Sequence, residues 1–258
     1  MAVWKLASCD GCQLALLDCE EDLLTLANAV RIVHFKELSS SVGSGPYELS
    51  LVEGSVMTRA DEALVHEIRD ASVRLVTIGA CATAGGIQAL RNLVAAGPYE
   101  RVVYAHPEYI DSLGSSSPVS DHVAVDFELH GCPVDRHQLL EVVAAMLAGR
   151  RPVIPGHSVC QDCKGRGTVC VTVARGEPCL GPVTRTGCGA LCPALERGCY
   201  GCFGPADTAN TSSLSGILAG IGTKPVEMQR LFRTFNAAAP AFEAAARAAT
   251  SDPEDDRS

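Results

Sequence analysis

The chain has 258 residues, 47% of them hydrophobic and 20% charged, with a formal net charge of −9 and a pI near 5.2. That length admits one large domain and a smaller one, and the composition is that of a soluble globular protein with a sizeable core. The acidic balance argues against a nucleic-acid or anionic-membrane surface. No apolar run approaches the ~20 residues that a membrane-spanning helix requires.

In chain order, residues 3–7 predict a first strand, and Cys12 to about Asn28 a helix with Leu14, Leu17, Leu24 and Ala27 on one face. Arg31–Phe35 and Glu48–Val52 follow as short β-rich runs. Arg59–Asp70 predicts a helix, Arg74–Ile78 a strand ending at Gly79, Leu90–Ala96 a helix, and Arg101–Ala105 and Val123–Leu129 strands. Arg136–Leu147 is an apolar-periodic helix stopped by Gly149. Ser39–Pro46 and Ser112–Ser120 are Ser/Gly-rich loops. Strands alternating with helices predict an α/β domain with a mainly parallel sheet, over residues 1–150. The run from Arg150 to Gly156, with two prolines, is a connector. A smaller, largely irregular domain is expected over 151–250, cysteine-rich to about Pro205 and closing on a helical stretch from Val226 to Ala249. Residues 251–258 are charged and expected to be a disordered acidic tail.

Cysteine placement carries the chemistry. Eight of the thirteen fall between Cys160 and Cys202, at Cys160, Cys163, Cys170, Cys179, Cys188, Cys192, Cys199 and Cys202, opening and closing on C-x-x-C. That stretch has too few bulky apolar residues for a hydrocarbon core, and eight thiolates make two sets of four, the count that two cubane iron–sulfur clusters need. Cys9, Cys12, Cys81 and Cys132 make a third set. Each follows a predicted strand, and ligands of an open parallel sheet gather beyond the carboxyl ends of its strands. Gly11 allows a tight turn where a helix begins, whose N–H groups would stabilise a negatively charged cluster. Gly79 to Gly86 is a small-residue loop with room for an inorganic body, and Pro133 fixes the turn after Cys132. Alone, a C-x-x-C pair fits a thioredoxin-type redox pair or half a zinc site equally well. Gly79–Gly86 lacks the G-K-[ST] ending of a phosphate loop.

The motifs Ser8-Cys9-Asp10-Gly11-Cys12-Gln13, Gly79-Ala80-Cys81 with Gly85-Gly86, and Gly131-Cys132-Pro133 resemble the proximal-cluster motifs of nickel–iron hydrogenase small subunits. Cys179 to Thr184 followed by Cys188, and Gly198-Cys199-Tyr200-Gly201-Cys202, resemble that family's C-terminal cluster domain. The resemblance spans residues 3 to 205 and is strongest to cytoplasmic, NAD(P)-linked enzymes of the sulfhydrogenase delta-subunit type. It implies a flavodoxin-like N-terminal domain and three 4Fe-4S clusters. The proximal one would sit on Cys9, Cys12, Cys81 and Cys132, the medial on Cys188, Cys192, Cys199 and Cys202, and the distal on Cys160, Cys163, Cys170 and Cys179. Two departures stand out. Cys192 offers a fourth medial ligand where many uptake enzymes have proline, and Cys160 takes the place of a distal histidine, leaving His157 as a weaker candidate. Asp10 and Gln13 flank the first pair, so the six-cysteine proximal cluster of oxygen-tolerant membrane enzymes is not expected.

The resemblance implies no catalytic residue in this chain. It implies an electron-transfer subunit between a nickel–iron large subunit, which carries the hydrogen site, and flavin- and iron–sulfur-containing diaphorase subunits. Rivals are the small subunit of an F420- or heterodisulfide-reductase-linked hydrogenase, the one-cluster subunit of respiratory complex I, and a zinc-binding structural module. Cys19 is read as a packed or partly exposed free thiol and the histidines as surface or hydrogen-bonded residues. Glu53 is read as a solvated or structural carboxylate that could sit near the proximal site. A cytoplasmic location is expected, because residues 1–8 are too short for a secretion signal and Arg150-Arg151 is internal. In a reducing compartment the cysteines remain thiols available to metal.

Overall fold

A computed structural model describes residues 1–40, 42–93 and 98–250. The chain divides into two compact units, Met1–Ile154 and Pro155–Ser258. In the first, the elements run β1 (Ala2–Lys5), α1 (Gly11–Leu17), α2 (Glu21–Ala29), β2 (His34–Phe35), β3 (Tyr47–Glu53), α3 (Arg59–Asp70), β4 (Ser72–Ile78), α4 (Gly79–Ala84), α5 (Pro98–Val103), β5 (Phe127–Leu129) and α6 (Arg136–Leu147). The sheet order is β2-β1-β3-β4-β5 with every pair parallel. This is the flavodoxin-like doubly wound order, in which the strand order reverses between β1 and β3, the switch point at whose carboxyl ends such sheets open a crevice.

Alternation along the strands builds a core on each face of the sheet. Leu49, Leu51, Val76, Ile78 and Leu129 pack with Leu16 of α1 and Leu139, Val142 and Val143 of α6. Val52 and Leu75 point the other way, onto Val65 and Ile68 of α3 and Ala82 of α4. Helices α3 and α6 begin where their caps dictate. Thr58 Oγ1 accepts from Asp61 N–H at 3.0 Å while Asp61 returns an acceptor to Thr58 N–H at 2.9 Å, a reciprocal capping box. Asp135 Oδ1 accepts from Gln138 N–H at 2.9 Å.

Several elements depart from expectation. The single helix from Cys12 to Asn28 is two, broken at Asp18–Glu20 where Glu20 takes φ 46. The acidic run disfavours the end of α1 but suits the first turn of α2, where Glu21 and Asp22 sit by the positive end of the dipole. Of the expected strand Arg101–Ala105, residues Arg101–Val103 are instead the end of helix α5, which Pro98 opens. Leu90 belongs to a 3-10 segment, Ile87–Leu93, and the expected helix beyond residue 93 falls outside the described residues. The strand expected from Val123 begins only at Phe127, because Asp126 supplies its carboxylate to Leu75 N–H at 2.7 Å and to Arg69 Nη1 at 2.7 Å. The strand expected over Arg31–Phe35 is confined to His34–Phe35.

The second unit carries α7 (Val159–Gly165), α8 (Val171–Arg175), α9 (Leu191–Ala194), α10 (Thr211–Gly220), α11 (Pro225–Phe232) and α12 (Pro240–Ala248). The closing helix expected from Val226 to Ala249 is thus two helices, and α10 was not foreseen. Phe232 and Phe242 pack at 5.7 Å between ring centroids, with Leu214, Leu218 and Met228 also buried in α10 and α11. Around the cysteines the apolar core is small: Val159, Val171 and Ala190 with Cys179 and Cys199, and Cys163 and Cys188 against them. The acidic tail, 251–258, lies outside the described residues.

Candidate metal centres

Cys9 and Cys12 follow β1, Cys81 lies in α4 directly after β4, and Cys132 follows β5, so all four come off the carboxyl ends of parallel strands. The loops that bear them are laced together. Ala80 N–H donates to Gly131 O at 2.7 Å, joining the Cys81 and Cys132 loops. A β-carbon on Gly11 would stand 3.4 Å from Cys9 Sγ and 3.6 Å from Pro133 Cβ. Gly79 (φ +87) has no room for one at all, since it would collide with Cys12 Sγ. The sulfurs act on one another accordingly. Burial pushes the Cys132 thiol up to about 11, with the neighbouring Cys81 and Cys9 adding to it. Burial pushes Cys12 up further, helped by Glu53, Cys81 and Cys132. Cys81 is raised by burial, and Cys9 and Glu53 add to it. The loops that bear the four cysteines thus meet at the carboxyl ends of the strands.

Glu53, at the end of β3, is 1% exposed. Its Oε1 accepts from Cys12 N–H at 3.0 Å and its Oε2 from Gln13 Nε2 at 2.9 Å. The carboxylate therefore occupies the start of α1, where the sequence reading put cluster charge, and it is not solvated. Burial raises its pKa, and the bonds from Gln13 and Cys12 offset part of that rise.

In the second unit, Cys160 and Cys179 both lie against Gly181, where a β-carbon would be 3.3 Å from Cys179 Sγ and 3.6 Å from Cys160 Sγ. Burial brings Cys160 up to about 11, and its neighbours Cys179, Cys163 and Cys170 add to the rise. Cys179 Sγ accepts N–H bonds from Cys199 at 3.2 Å and Gly181 at 3.4 Å. The remaining four are two pairs, Cys188 with Cys192 and Cys199 with Cys202. Cys163 and Cys188 pack against the apolar cluster that includes Cys179 and Cys199. Cys199 is pushed up to about 12 by burial, eased by the N–H of Gly201 on its Sγ at 3.5 Å.

None of the thirteen cysteines, all of them among the described residues, is in a disulfide. Cys19 stands apart, buried between α1 and α2 with its thiol donating to Ala15 O at 3.3 Å. The His157 ring is engaged by Asp162, Nε2 to Oδ1 at 3.0 Å, and Asp162 in turn binds the Thr186 hydroxyl. Sequence reasoning missed the side chains that brace these loops. Gln88 bridges Ala7 O and Cys81 Sγ, while Asn236 Nδ2 donates to Gly201 O at 2.9 Å and Cys202 O at 3.2 Å. Gln88 is flagged only by its place two residues after Gly86, and Asn236 by nothing in the sequence.

The donor chemistry is all sulfur, which selects thiophilic metals. Buried thiols crowded together ionise only against a strong positive charge, and N–H bonds to sulfur favour the thiolate. These features fit an iron–sulfur body. Among the described residues no three His, Cys, Asp or Glu side chains are set to hold a single metal ion. No helix among them is long and apolar enough to cross a membrane.

Comparison with known proteins places this arrangement. Residues 9–146 match the family model described as NADH ubiquinone oxidoreductase, 20 Kd subunit. The chain is 35% identical to the sulfhydrogenase 2 subunit delta of Pyrococcus furiosus, covering 91% of this chain and 98% of that protein. It is 31% identical to a subunit of the vhu F420-non-reducing hydrogenase of Methanococcus voltae, covering 90% and 92%. A crystal structure of an NAD+-reducing NiFe hydrogenase in the H2-reduced state matches with a TM-score of 0.55 at 28% identity, covering 60% of this chain and 93% of that one. The chain belongs to the NADH ubiquinone oxidoreductase 20 Kd subunit family, in the company of its hydrogenase small and delta subunits.

Proposed function

We propose that this chain is the electron-transfer small subunit of a multimeric nickel–iron hydrogenase. It would hold three 4Fe-4S clusters, the proximal on Cys9, Cys12, Cys81 and Cys132, the medial on Cys188, Cys192, Cys199 and Cys202, and the distal on Cys160, Cys163, Cys170 and Cys179. The observation that carries this is the meeting of the cysteine loops from three strand ends, where Ala80 N–H bonds Gly131 O, Gly11 lies against Cys9 and Pro133, and Gly79 lies against Cys12. Such clusters, when bound, each take up and give back a single electron. The chain's own residues bind and shield them. Gly79 and Gly11 let backbone approach the sulfurs, Glu53 fixes the Cys12 turn, and the Cys199 and Gly201 N–H groups steady the thiolates of the second unit. The family model ends at residue 146, short of Cys160, whereas the sulfhydrogenase relative covers 91% of the chain. That supports a three-cluster hydrogenase subunit over a one-cluster complex I subunit.

The hydrogen-activating site would lie on a partner large subunit in the cytoplasm, and the electrons would pass to a flavin- and iron–sulfur-containing diaphorase that reduces NAD(P). The NAD+-reducing neighbour supports that acceptor. The F420-non-reducing hydrogenase relative supports a hydrogenase subunit without naming its acceptor. A heterodisulfide-linked enzyme is the second reading, and the chains that co-purify separate the two. Anaerobic purification with iron and acid-labile sulfide counts tests the core of the proposal. About twelve irons per chain are expected for three cubanes. Near-zero sulfide with stoichiometric zinc, in a colourless protein, would overturn it.

A further inference from the structure

The carboxamide of Gln88 is held at both ends. Nε2 donates to Ala7 O at 2.8 Å, two residues before Cys9, and Oε1 lies 3.5 Å from Cys81 Sγ, where the thiol donates to it. Turning the amide over would set two carbonyl oxygens face to face at Ala7, so the oxygen is locked toward the sulfur. Gly86 makes the space. It sits at φ +64, and a β-carbon there would be 2.5 Å from Gln88 Oε1 and 2.6 Å from Cys81 Sγ. Once Cys81 binds metal its proton is gone, and the oxygen then presents lone pairs to a thiolate with no donor between them.

We propose that Gln88 is a positioning residue of the first cysteine set, whose locked carboxamide oxygen disfavours added negative charge at Cys81 and so lowers the reduction potential of a cluster bound there. This rests on the proposed cluster site. An acceptor oxygen beside a ligand sulfur opposes the electron that reduction brings, just as donors to sulfur favour it. The same side chain ties the Cys9 strand end to the Cys81 loop.

The test is an EPR-monitored redox titration of the complete, anaerobically purified complex. Cys81→Ser identifies the signal of the first set as the one it alters. Gln88→Leu and Gln88→Met should raise that signal's midpoint, making the reduced-to-oxidised ratio about tenfold larger at a fixed potential, or ~59 mV for one electron. Gln88→Glu, protonated on the oxygen that faces Ala7 O, keeps an acceptor oxygen toward the sulfur and should return the midpoint to the wild-type value or below. If Gln88→Leu fails to assemble, Gln88→Met carries the test. Midpoints unchanged or lowered by the apolar variants, or raised by Gln88→Glu, would overturn the role of Gln88 and leave the cluster site standing. A wild-type complex with no iron–sulfur signal dependent on Cys81 would overturn both.

Discussion

Glu53 shows how a single side chain organises the first site. Its two oxygens satisfy Cys12 N–H and the Gln13 side chain across some forty residues of sequence. Glu53→Leu leaves those buried donors without an acceptor and should cost about 1–3 kcal/mol, read as a lower unfolding midpoint, while Glu53→Gln should recover part of it. Gly79 is the complementary case, because a methyl there meets Cys12 Sγ at a positive φ. Gly79→Ala should therefore remove about four of twelve irons although it changes no sulfur, measured as iron per chain and loss of one EPR signal. The thiols were legible in the sequence because sulfur chemistry and strand ends announce themselves. Glu53 was visible only as a carboxylate at a strand end, and Gln88 and Asn236 not as bracing residues, because their partners are decided by folding.

At the scale of elements, α3 and α6 were read to the residue, since periodicity and a polar cap agree there. Thr58→Ala should cost about 1 kcal/mol in a urea titration, the usual worth of such a cap. Helix α5 was misread as a strand because Val102 and Val103 suggest β structure, while Pro98 and the exposure of both valines decide otherwise. Edge strand β5 was read too long because an Asp126 side chain stands in for backbone pairing. Burial acts to raise the pKa of Asp126, but the Arg69 and Leu75 bonds outweigh it and hold the group below its ordinary value. A depressed carboxylate stabilises the fold above its unfolded pKa and loses that contribution as pH falls. Asp126→Asn should accordingly lower the unfolding free energy from a urea titration at neutral pH by at most ~1 kcal/mol. The difference from wild type should fade as the pH drops below about 4.

For the whole molecule, the two units solve the problem of gathering sulfur in different ways. The first builds a full sheet with a core on each face and places its thiols at the rim. In the second, a short cysteine-rich stretch is steadied by helices further along, with Asn236 holding the Cys199–Cys202 turn. Asn236→Ala should cost about 1–3 kcal/mol and deplete iron from the second unit, while the EPR signal dependent on Cys81 persists. The α/β plan could be read from alternating strands and helices, but α10 to α12 could not, because neither their count nor the role of Asn236 follows from local pattern. The spacing of the sulfurs also bears on synthesis. The first set is complete only after Cys132 has left the ribosome and β5 has joined the sheet, whereas the last eight sulfurs emerge within one run of forty-three residues. A growing chain therefore carries Cys9 and Cys12 as an unfinished half-site through more than a hundred further steps of translation, the interval in which stray metal or oxidant can reach them.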